Sequence, residues 1–463
     1  MRKIVSALLL FAPTTSVAAA QQNPARETPP PLGTPRAFHL PKGRDITLPN
    51  GLRITMVPFG NTPKASVYAS VRTGHIDEAP NEVWLSDVTA DMMREGTNSR
   101  TAPEIATQSA AMGGDLSVSA GDDEMRATGG VLAENAPDMV RLIADVLRNP
   151  LLPEGELARI TANRVRQLSI AKSQPQALAQ EQFARAVYGD HPYGRAFPTE
   201  EMLKGYTIGR VRDFHARNFN ASRAHLYVVG VFDAAAVERA ARESFGGWAR
   251  GKPATVKPPA PKSARTVSLI DRPNAVQSTV ILGLPVPGPT SKDHIALEVT
   301  DAILGGAFGS RITSNIREQK GYTYSPFSTV STHYHDAYWA EEADVTSAST
   351  GASLTEIFKE IDRLQHEAPP PAELAGIKNN LIGMFTLRNA SRSGIVSMLD
   401  FVNTQGLGAD YLNGYVSRVS AITPADVQRI TRTYLRPDRM TLVVVGDKKT
   451  VEAQLKPFET VVP

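Results

Sequence analysis

The chain contains one pattern twice, as VRDFHARNFNASRAHLYVVG at residues 211–230 and as VQRITRTYLRPDRMTLVVVG at residues 427–446. The two copies align without a gap. Each copy has apolar residues at helical spacing, then a short turn, then a β-branched run that glycine closes, which predicts a helix followed by a strand. Thr207 and Thr423 precede the copies and are typical helix-start residues. Repeats of this size predict two duplicated domains, because solenoid repeats are only about 20–50 residues long.

Other segments of the two halves match in the same order. The predicted pairs are the strands 65–72 and 276–284, the helices 86–93 and 297–304, and the helices 154–171 and 371–387. Strands gathered with helices on one side predict an α+β fold, with one antiparallel-rich sheet covered by helices in each half. The alternative is a chance resemblance between two unrelated α+β halves.

A proline-rich stretch at 252–262 separates the two halves, and proline stiffens an extended linker. We therefore predict five segments. They are a signal peptide (1–20), a disordered lead-in (21–37), an N-terminal domain (38–251), the linker (252–263) and a C-terminal domain (264–463).

The N-terminal segment predicts export. Arg2 and Lys3 precede an apolar run at 4–11, and Ala18 and Ala20 are placed for signal cleavage. The alternative, a membrane anchor, is disfavoured because the apolar run is too short to span about 30 Å of hydrocarbon. We expect a soluble mature chain in the bacterial periplasm.

Composition excludes several classes of function. The 463 residues include no cysteine, which rules out a disulfide scaffold, a thiol nucleophile and a cysteine-ligated metal. The 50 basic side chains nearly balance the 47 acidic ones, so a strongly basic nucleic-acid-binding protein is not indicated.

Several motifs, taken together and in order, carry a family resemblance. They are Asn50–Ile54, Gly74–Glu78, Glu95–Thr97, Ala111–Leu116 and Tyr188–Gly194. In this combination the chain resembles the pitrilysin/insulinase superfamily, which includes the mitochondrial processing peptidase and two-domain bacterial relatives. The resemblance covers the chain from about Phe38 to its end, and it agrees with the internal duplication.

The resemblance implies a zinc motif, His-x-x-Glu-His, on the first helix. Two histidines four residues apart share a helix face and can bind one zinc ion, while the glutamate acts as base. Counting back from Gly96 places these roles on Asp87, Ala90 and Asp91, so all three residues are replaced. The superfamily's third ligand, a glutamate, falls near Gln167. We therefore expect no zinc and no other cofactor in this chain.

The sequence offers two weaker candidate metal sites. Asp87, Asp91 and Gln167 offer oxygen ligands for Ca²⁺ or Mg²⁺, but a pair of exposed helix carboxylates is the favoured interpretation. His333 and His335 are two apart on a strand-like stretch and would face the same way. Without a third ligand, a polar strand face is favoured there too.

The segment 316–325, IREQKGYTYS, resembles the superfamily's arginine–tyrosine element. In that family the arginine and a tyrosine seven residues later face the zinc centre from the opposite domain, and here they fall on Arg317 and Tyr324. A guanidinium can grip a substrate carbonyl and a phenol can donate to a developing oxyanion. The alternative role for both side chains is packing and solubility.

The zinc motif is replaced, whereas the segment that resembles the arginine–tyrosine element is present. The resemblance implies a non-catalytic subunit of a heterodimeric zinc metallopeptidase, in which Arg317 and Tyr324 act in trans at the zinc centre of a homologous partner that binds the peptide substrate. No nucleic acid and no membrane span are expected. The alternatives are a metal-free peptide- or protein-binding scaffold of the same fold and an exported enzyme with unrelated chemistry.

Overall fold

The computed structural model describes residue 33 and residues 35–256, 258–408 and 410–459. The predicted signal peptide at 1–20 and most of the predicted lead-in lie outside these residues. The strands are β1 Arg44–Thr47, β2 Arg53–Pro58, β3 Lys64–Val71, β4 Leu116–Ala120, β5 Met125–Leu132, β6 Ala224–Gly230, β7 Thr266–Asp271, β8 Gln277–Val286, β9 Phe327–His333, β10 Asp336–Thr346 and β11 Thr441–Gly446.

The helices include those predicted at 86–93, 154–171 and 371–387 and in the two copies of the repeated pattern. They are α1 Leu85–Met93, α2 Ala102–Ala111, α3 Ala136–Arg148, α4 Glu154–Ser173, α5 Pro175–Tyr188, α6 Glu200–Lys204, α7 Ile208–Asn218, α8 Ala234–Phe245, α9 His294–Asp301, α10 Thr350–His366, α11 Pro371–Arg388, α12 Arg392–Thr404, α13 Asp410–Asn413, α14 Tyr415–Ala421, α15 Pro424–Tyr434 and α16 Lys448–Glu459.

The two sheets have the same strand order, which confirms the predicted duplication. The first sheet runs β1-β2-β6-β3-β5-β4 and the second runs β7-β11-β8-β10-β9. Each sheet contains one parallel pair, β2 with β6 in the first and β7 with β11 in the second, and the remaining pairs are antiparallel. Apart from β1, every strand of the first sheet thus has a counterpart in the second.

The predicted helix starts are confirmed by their caps. The Thr207 side chain accepts a hydrogen bond from the backbone of Arg210 at the start of α7. Thr423 and Asp426 form a reciprocal capping box at the start of α15. These caps satisfy backbone N–H groups that the first helical turn leaves without partners, so the repeated pattern begins its helix at the same place in both halves.

The halves exchange helices, a feature that the sequence pattern did not predict. Helix α5 belongs to the first half but packs on the second sheet, with Phe183 against Ile281 and its neighbours. Helix α12 belongs to the second half but packs on the first sheet, with Ile395 against Val57. Since each sheet buries a helix from the other half, the described residues from Arg36 onward form one compact unit.

Polar groups also join the halves where α12 crosses the first sheet. Asp400 is buried and accepts hydrogen bonds from the hydroxyls of Tyr68 (2.9 Å) and Ser70 (3.0 Å). Glu124 lies beside it; one of its oxygens accepts from Arg126, while the other is buried without a donor. Burial, followed by the neighbouring Asp400, raises the pKa of Glu124 to about 8. A proton on Glu124 turns its carboxyl group into a donor, and the neighbouring carboxylate of Asp400 is the acceptor.

The two histidines that formed a candidate metal site lie on either side of the start of a turn. His333 is the last residue of β9, whereas His335 lies in the turn before β10 with φ 55°. The prediction that they share one strand face is therefore wrong, because the chain reverses between them.

Among the described residues, no helix combines the length and the apolar character needed to cross a membrane.

Candidate functional site

Helix α1 carries the positions of the replaced zinc motif, and Glu78 caps its start. The Glu78 carboxylate accepts hydrogen bonds from the backbone N–H groups of Trp84 (3.1 Å) and Ser86 (2.9 Å) and from the Ser86 hydroxyl (2.6 Å). Burial raises the pKa of Glu78 to about 7, against the opposing effects of His75 and Ser86. A carboxylate at this end also complements the helix dipole, so the first turn of α1 is fixed.

Asp87 and Asp91 lie one helical turn apart and share one cation, Arg164 of α4. The guanidinium donates to Asp91 at 2.7 Å through Nε and to Asp87 at 3.1 Å through Nη1. Arg164 and Asp87 are each 16% exposed and Asp91 is 21% exposed. Ala90, on the same helix, is buried. A guanidinium thus lies between the two residues at the histidine positions.

A second cation, His75, reaches Asp87 from the turn before α1. Its ring nitrogens lie 2.8 Å from Asp87 and 2.9 Å from Asp122, so the imidazole bridges two carboxylates. Burial alone would lower the pKa of His75, but the hydrogen bonds to Asp122 and Asp87 raise it to about 11. The imidazole is therefore protonated at neutral pH, so Asp87 is paired with two cations, His75 and Arg164.

These residues do not fit a zinc ion. Among the described residues, one group could hold a metal, His75, Glu78 and Asp87, whose nearest ligand atoms lie within 4.8 Å of one another. Zinc requires an unprotonated imidazole, yet both nitrogens of His75 are engaged by carboxylates. Asp87 is already paired with Arg164, and the oxygens of Glu78 accept from three donors. Ala90 also leaves no carboxylate to act as base.

The structure corrects two details of the sequence prediction. The side chain of α4 that faces Asp87 and Asp91 is Arg164, whereas Gln167 lies three residues further on and is exposed. The two aspartates are also not exposed helix carboxylates, since most of each side chain is buried. Residue counting identified the correct segment but not the facing residue, because a shift within one helical turn changes the face.

The predicted arginine–tyrosine element forms an exposed surface on the second half. Arg317 lies in a π-helical segment, Thr313–Gln319, and its guanidinium is 4.5 Å from the ring centre of Phe308 and 5.1 Å from that of Tyr324. Phe308 is 76% exposed and Tyr324 is 78% exposed. The one carboxylate near Arg317 among the described residues is Glu318, at 3.2 Å. π-Helical turns occur frequently at functional sites.

Buried contacts hold this surface in place from below. Arg311 forms a two-point ion pair with Glu373 of α11, with both distances 2.8 Å. Asn315 donates to Glu360 of α10 at 2.8 Å. Thr323, directly before Tyr324, donates its hydroxyl to the backbone oxygen of Asp344 at 2.7 Å. Because their neighbours are anchored, Arg317 and Tyr324 project from a defined backbone rather than from a free loop.

The sequence did not identify His75, Glu78 and Arg164 as parts of this site. His75 and Glu78 stand in the segment Gly74–Glu78 that supported the family resemblance, and Arg164 stands in the segment searched for the third ligand. Their charges were visible, but their contacts depend on how α4 and the turn before α1 pack against α1.

Two family models match most of the chain. The model described as insulinase, peptidase family M16, matches residues 57–199. The model described as the peptidase M16 inactive domain matches residues 206–381. A Streptomyces coelicolor protein called an uncharacterized zinc protease is 24% identical over 89% of this chain and 91% of its own length. One from Mycobacterium tuberculosis, of the same description, is 25% identical over 89% of this chain and 96% of its own.

Solved structures show the same fold. A crystal structure described as a peptidase M16 inactive domain from Pseudomonas fluorescens superposes with a TM-score of 0.81 at 22% identity, and covers 88% of this chain and 98% of the other. A protease from Helicobacter pylori superposes with a TM-score of 0.82 at 20% identity, and covers 88% of this chain and all of the other. These likenesses extend over both halves of the molecule.

Proposed function

Because the chain belongs to the pitrilysin/insulinase superfamily, peptidase family M16, we propose that it is the non-catalytic subunit of a two-chain zinc peptidase. In this proposal it supplies Arg317 and Tyr324 to the zinc centre of a homologous partner chain. The single observation that carries the proposal is a contrast between the two halves. Arg164 and His75 neutralise the zinc-motif positions of the first half, while the arginine–tyrosine surface of the second half is exposed and anchored.

The pair is suited to bind a peptide backbone, because Tyr324 is exposed and the Arg317 side chain is partly exposed (23%). The Arg317 guanidinium is oriented by the two rings that flank it and can donate to a carbonyl or carboxylate oxygen. The Tyr324 hydroxyl makes no hydrogen bond to a described residue, so it is available to donate to an oxyanion that develops on the scissile carbonyl. Both groups become useful only where another chain brings substrate and catalytic centre to this surface.

The proposal includes a location and a substrate class. We place the complex in the periplasm on the basis of the N-terminal sequence, and we assign a peptide as its substrate on the basis of the family. A metal-free binding scaffold has less support, because a scaffold does not require an exposed tyrosine beside an oriented arginine.

The test needs the assembled complex. Tagged protein is purified from a periplasmic extract, the co-purifying homologous chain is identified by mass spectrometry, and the complex is then reconstituted from the two pure chains. We expect Tyr324→Phe to lower kcat by about 10²–10³, the usual loss of one oxyanion donor. Arg317→Ala is expected to raise KM as well as lower kcat, because the Arg317 guanidinium also binds the substrate in this proposal.

Matched variants separate function from folding. Tyr322→Phe removes a hydroxyl two residues from Tyr324, and Arg272→Ala removes an exposed arginine from the turn between β7 and β8. Both controls are expected to keep wild-type kinetics. Size-exclusion chromatography must show that every variant still forms the complex. If Tyr324→Phe and Arg317→Ala assemble and keep wild-type kcat/KM, the proposed role in trans is wrong and the scaffold becomes the better account.

A further inference from the structure

The two exchanged helices cover equivalent rows of the two sheets. His225 and Thr441 occupy the same place in the repeated pattern, and the strand registers extend each position into a row of four paired residues. The row of the first sheet is Arg53, His225, Ser70 and Arg126, and the row of the second sheet is Thr266, Thr441, Gly283 and Ala340. The same backbone thus carries a charged row in one half and a small, uncharged row in the other.

A phenylalanine fills the space above the row of the second sheet. Phe183 of α5 is fully buried, and a Cβ added at Gly283 would lie 2.8 Å from its ring. Helix α11 begins 217 residues after α4 (371 − 154), and α12 begins 217 residues after α5 (392 − 175). The same offset applied to Phe183 of α5 gives Asp400 of α12, so these two residues are equivalent. An aromatic ring in one half is therefore replaced by a small carboxylate in the other.

The smaller side chain is accompanied by a pocket. Above the row of the first sheet lies a cavity of about 220 Å³, and its walls include Arg53, Arg72, Arg223 and Asp400. Its volume is below the roughly 300–1,000 Å³ of pockets for drug-sized ligands, and at about 30 Å³ per water it has room for a small hydrated ion. The pocket lies between the first sheet and α12, so both halves line it.

Positive charge is in excess in this pocket. Neither Arg53 nor Arg72 forms an ion pair with a described carboxylate; Arg53 donates to Asn403 and Arg72 to the backbone oxygen of Thr404. Arg72 also stacks over Tyr334. Arg223 is 10% exposed and paired with Asp77, and its Nε has no partner.

The remaining charged and titratable groups do not cancel this excess. Asp400 is engaged by two hydroxyls and lies 3.8 Å from Arg126. Burial, followed by the nearby charge of Arg53, lowers the pKa of His225 to about 3, so this ring is neutral. The positive charge of the cavity therefore comes from its arginines.

We propose that this pocket is a binding site for a small tetrahedral oxyanion of the phosphate type, held between the two halves by Arg53, Arg72 and Arg223. Guanidinium groups bind oxyanions through charge-assisted hydrogen bonds. One arginine is enough to grip a planar carboxylate, whereas three that come from separate points of the sheet suit an anion with oxygens in several directions. The site is independent of the proposed peptidase role, because it shares no residue with the arginine–tyrosine surface.

Calorimetry with inorganic phosphate tests this site directly. Titrations of the full mature chain are run in a zwitterionic buffer, with sodium chloride added to hold the ionic strength constant. We expect saturable phosphate binding, a matching rise in Tm, and weaker binding of acetate. Arg53→Gln is expected to weaken phosphate binding about tenfold to a hundredfold, since it removes a hydrogen bond from a charged donor. Arg53 is exposed at the start of β2, so this variant should fold normally.

Two further variants sharpen the test. Asp400→Asn removes the one carboxylate in the pocket wall and is expected to tighten phosphate binding, a result that a purely structural pocket would not give. Arg239→Gln removes an exposed arginine from α8 and is expected to bind phosphate like the wild type. Absence of saturable binding, equal binding by wild type and Arg53→Gln, or a preference for acetate over phosphate would overturn the proposal.

Discussion

Helices α5 and α12 occupy equivalent places in the two halves, yet they bury their sheets by different chemistry. Under α5, Phe183 packs on Gly283 in an apolar cluster. Under α12, the apolar contact of Ile395 with Val57 occupies one end, and the other end is polar, with Asp400 bonded to Tyr68 and Ser70. Duplication fixed where each helix crosses, because strand order and register are the same, but it did not fix what lies beneath it.

The same separation of backbone and chemistry is seen at the candidate functional sites. Helix α1 is capped by Glu78, and the aspartates at its zinc-motif positions are paired with Arg164 and, for Asp87, also with His75. In the second half, the segment around Arg317 is anchored by the Arg311–Glu373 ion pair, and Tyr324 beside it is exposed. In this molecule the fold persists where single residues have changed the chemistry.

The largest expected effect is at the apolar crossing. Phe183→Ala would leave a cavity above Gly283, where the packed sheet has little freedom to collapse. We expect the free energy of unfolding to fall by about 3–5 kcal/mol, as measured by urea denaturation. An unchanged m-value must accompany the loss. A loss below about 1 kcal/mol would mean that α5 does not depend on this contact.

The equivalent change at the polar crossing is expected to cost less. Asp400→Ala leaves the hydroxyls of Tyr68 and Ser70 without their acceptor, at a cost of about 1–3 kcal/mol. The substitution also removes the negative charge of Asp400 from the neighbourhood of the Glu124 carboxyl group, which reduces the net loss of stability. The same urea experiment measures it, and a loss equal to that of Phe183→Ala would contradict the distinction between the two crossings.

A smaller, pH-dependent effect should distinguish the polar crossing further. The pKa of Glu124 is raised to about 8, above its ordinary value near 4, so the folded state binds this proton more tightly than the unfolded state. The stabilisation is complete below about pH 4 and is lost as the pH rises through about 8. Relative to Glu124→Gln, the wild type should therefore lose stability between pH 5 and pH 9.

The control is Glu134→Gln, which changes an exposed glutamate. Its stability difference from the wild type should stay constant over the same range. A constant difference for Glu124→Gln as well would show that its carboxyl group has an ordinary pKa in the folded protein.

Local pattern predicted the elements well. The strand-closing glycines Gly230 and Gly446, and the cap residues Thr207 and Thr423, act through neighbours in sequence, and the structure places them as expected. The absence of a catalytic base at Ala90 could also be predicted from the sequence, because alanine cannot act as a base in any fold.

Contacts between distant segments could not be predicted in this way. Arg164 reaches Asp91 across 73 residues, and Asp400 meets Ser70 across 330. No sequence pattern singled out α5 or α12, and an apolar helix face does not by itself show which sheet covers it. The exchange of helices, the pocket beneath α12 and the cations beside α1 all depend on this packing.

The most direct test of the account is the metal content and peptidase activity of the isolated mature chain. Purified protein is incubated with zinc, dialysed, analysed by mass spectrometry for metal and assayed with a fluorogenic peptide. Because Asp87 is paired with Arg164 and His75, and Ala90 provides no base, we predict no stoichiometric zinc and no peptide cleavage. One tightly held zinc ion per chain, with proteolysis that a chelator abolishes, would contradict the account.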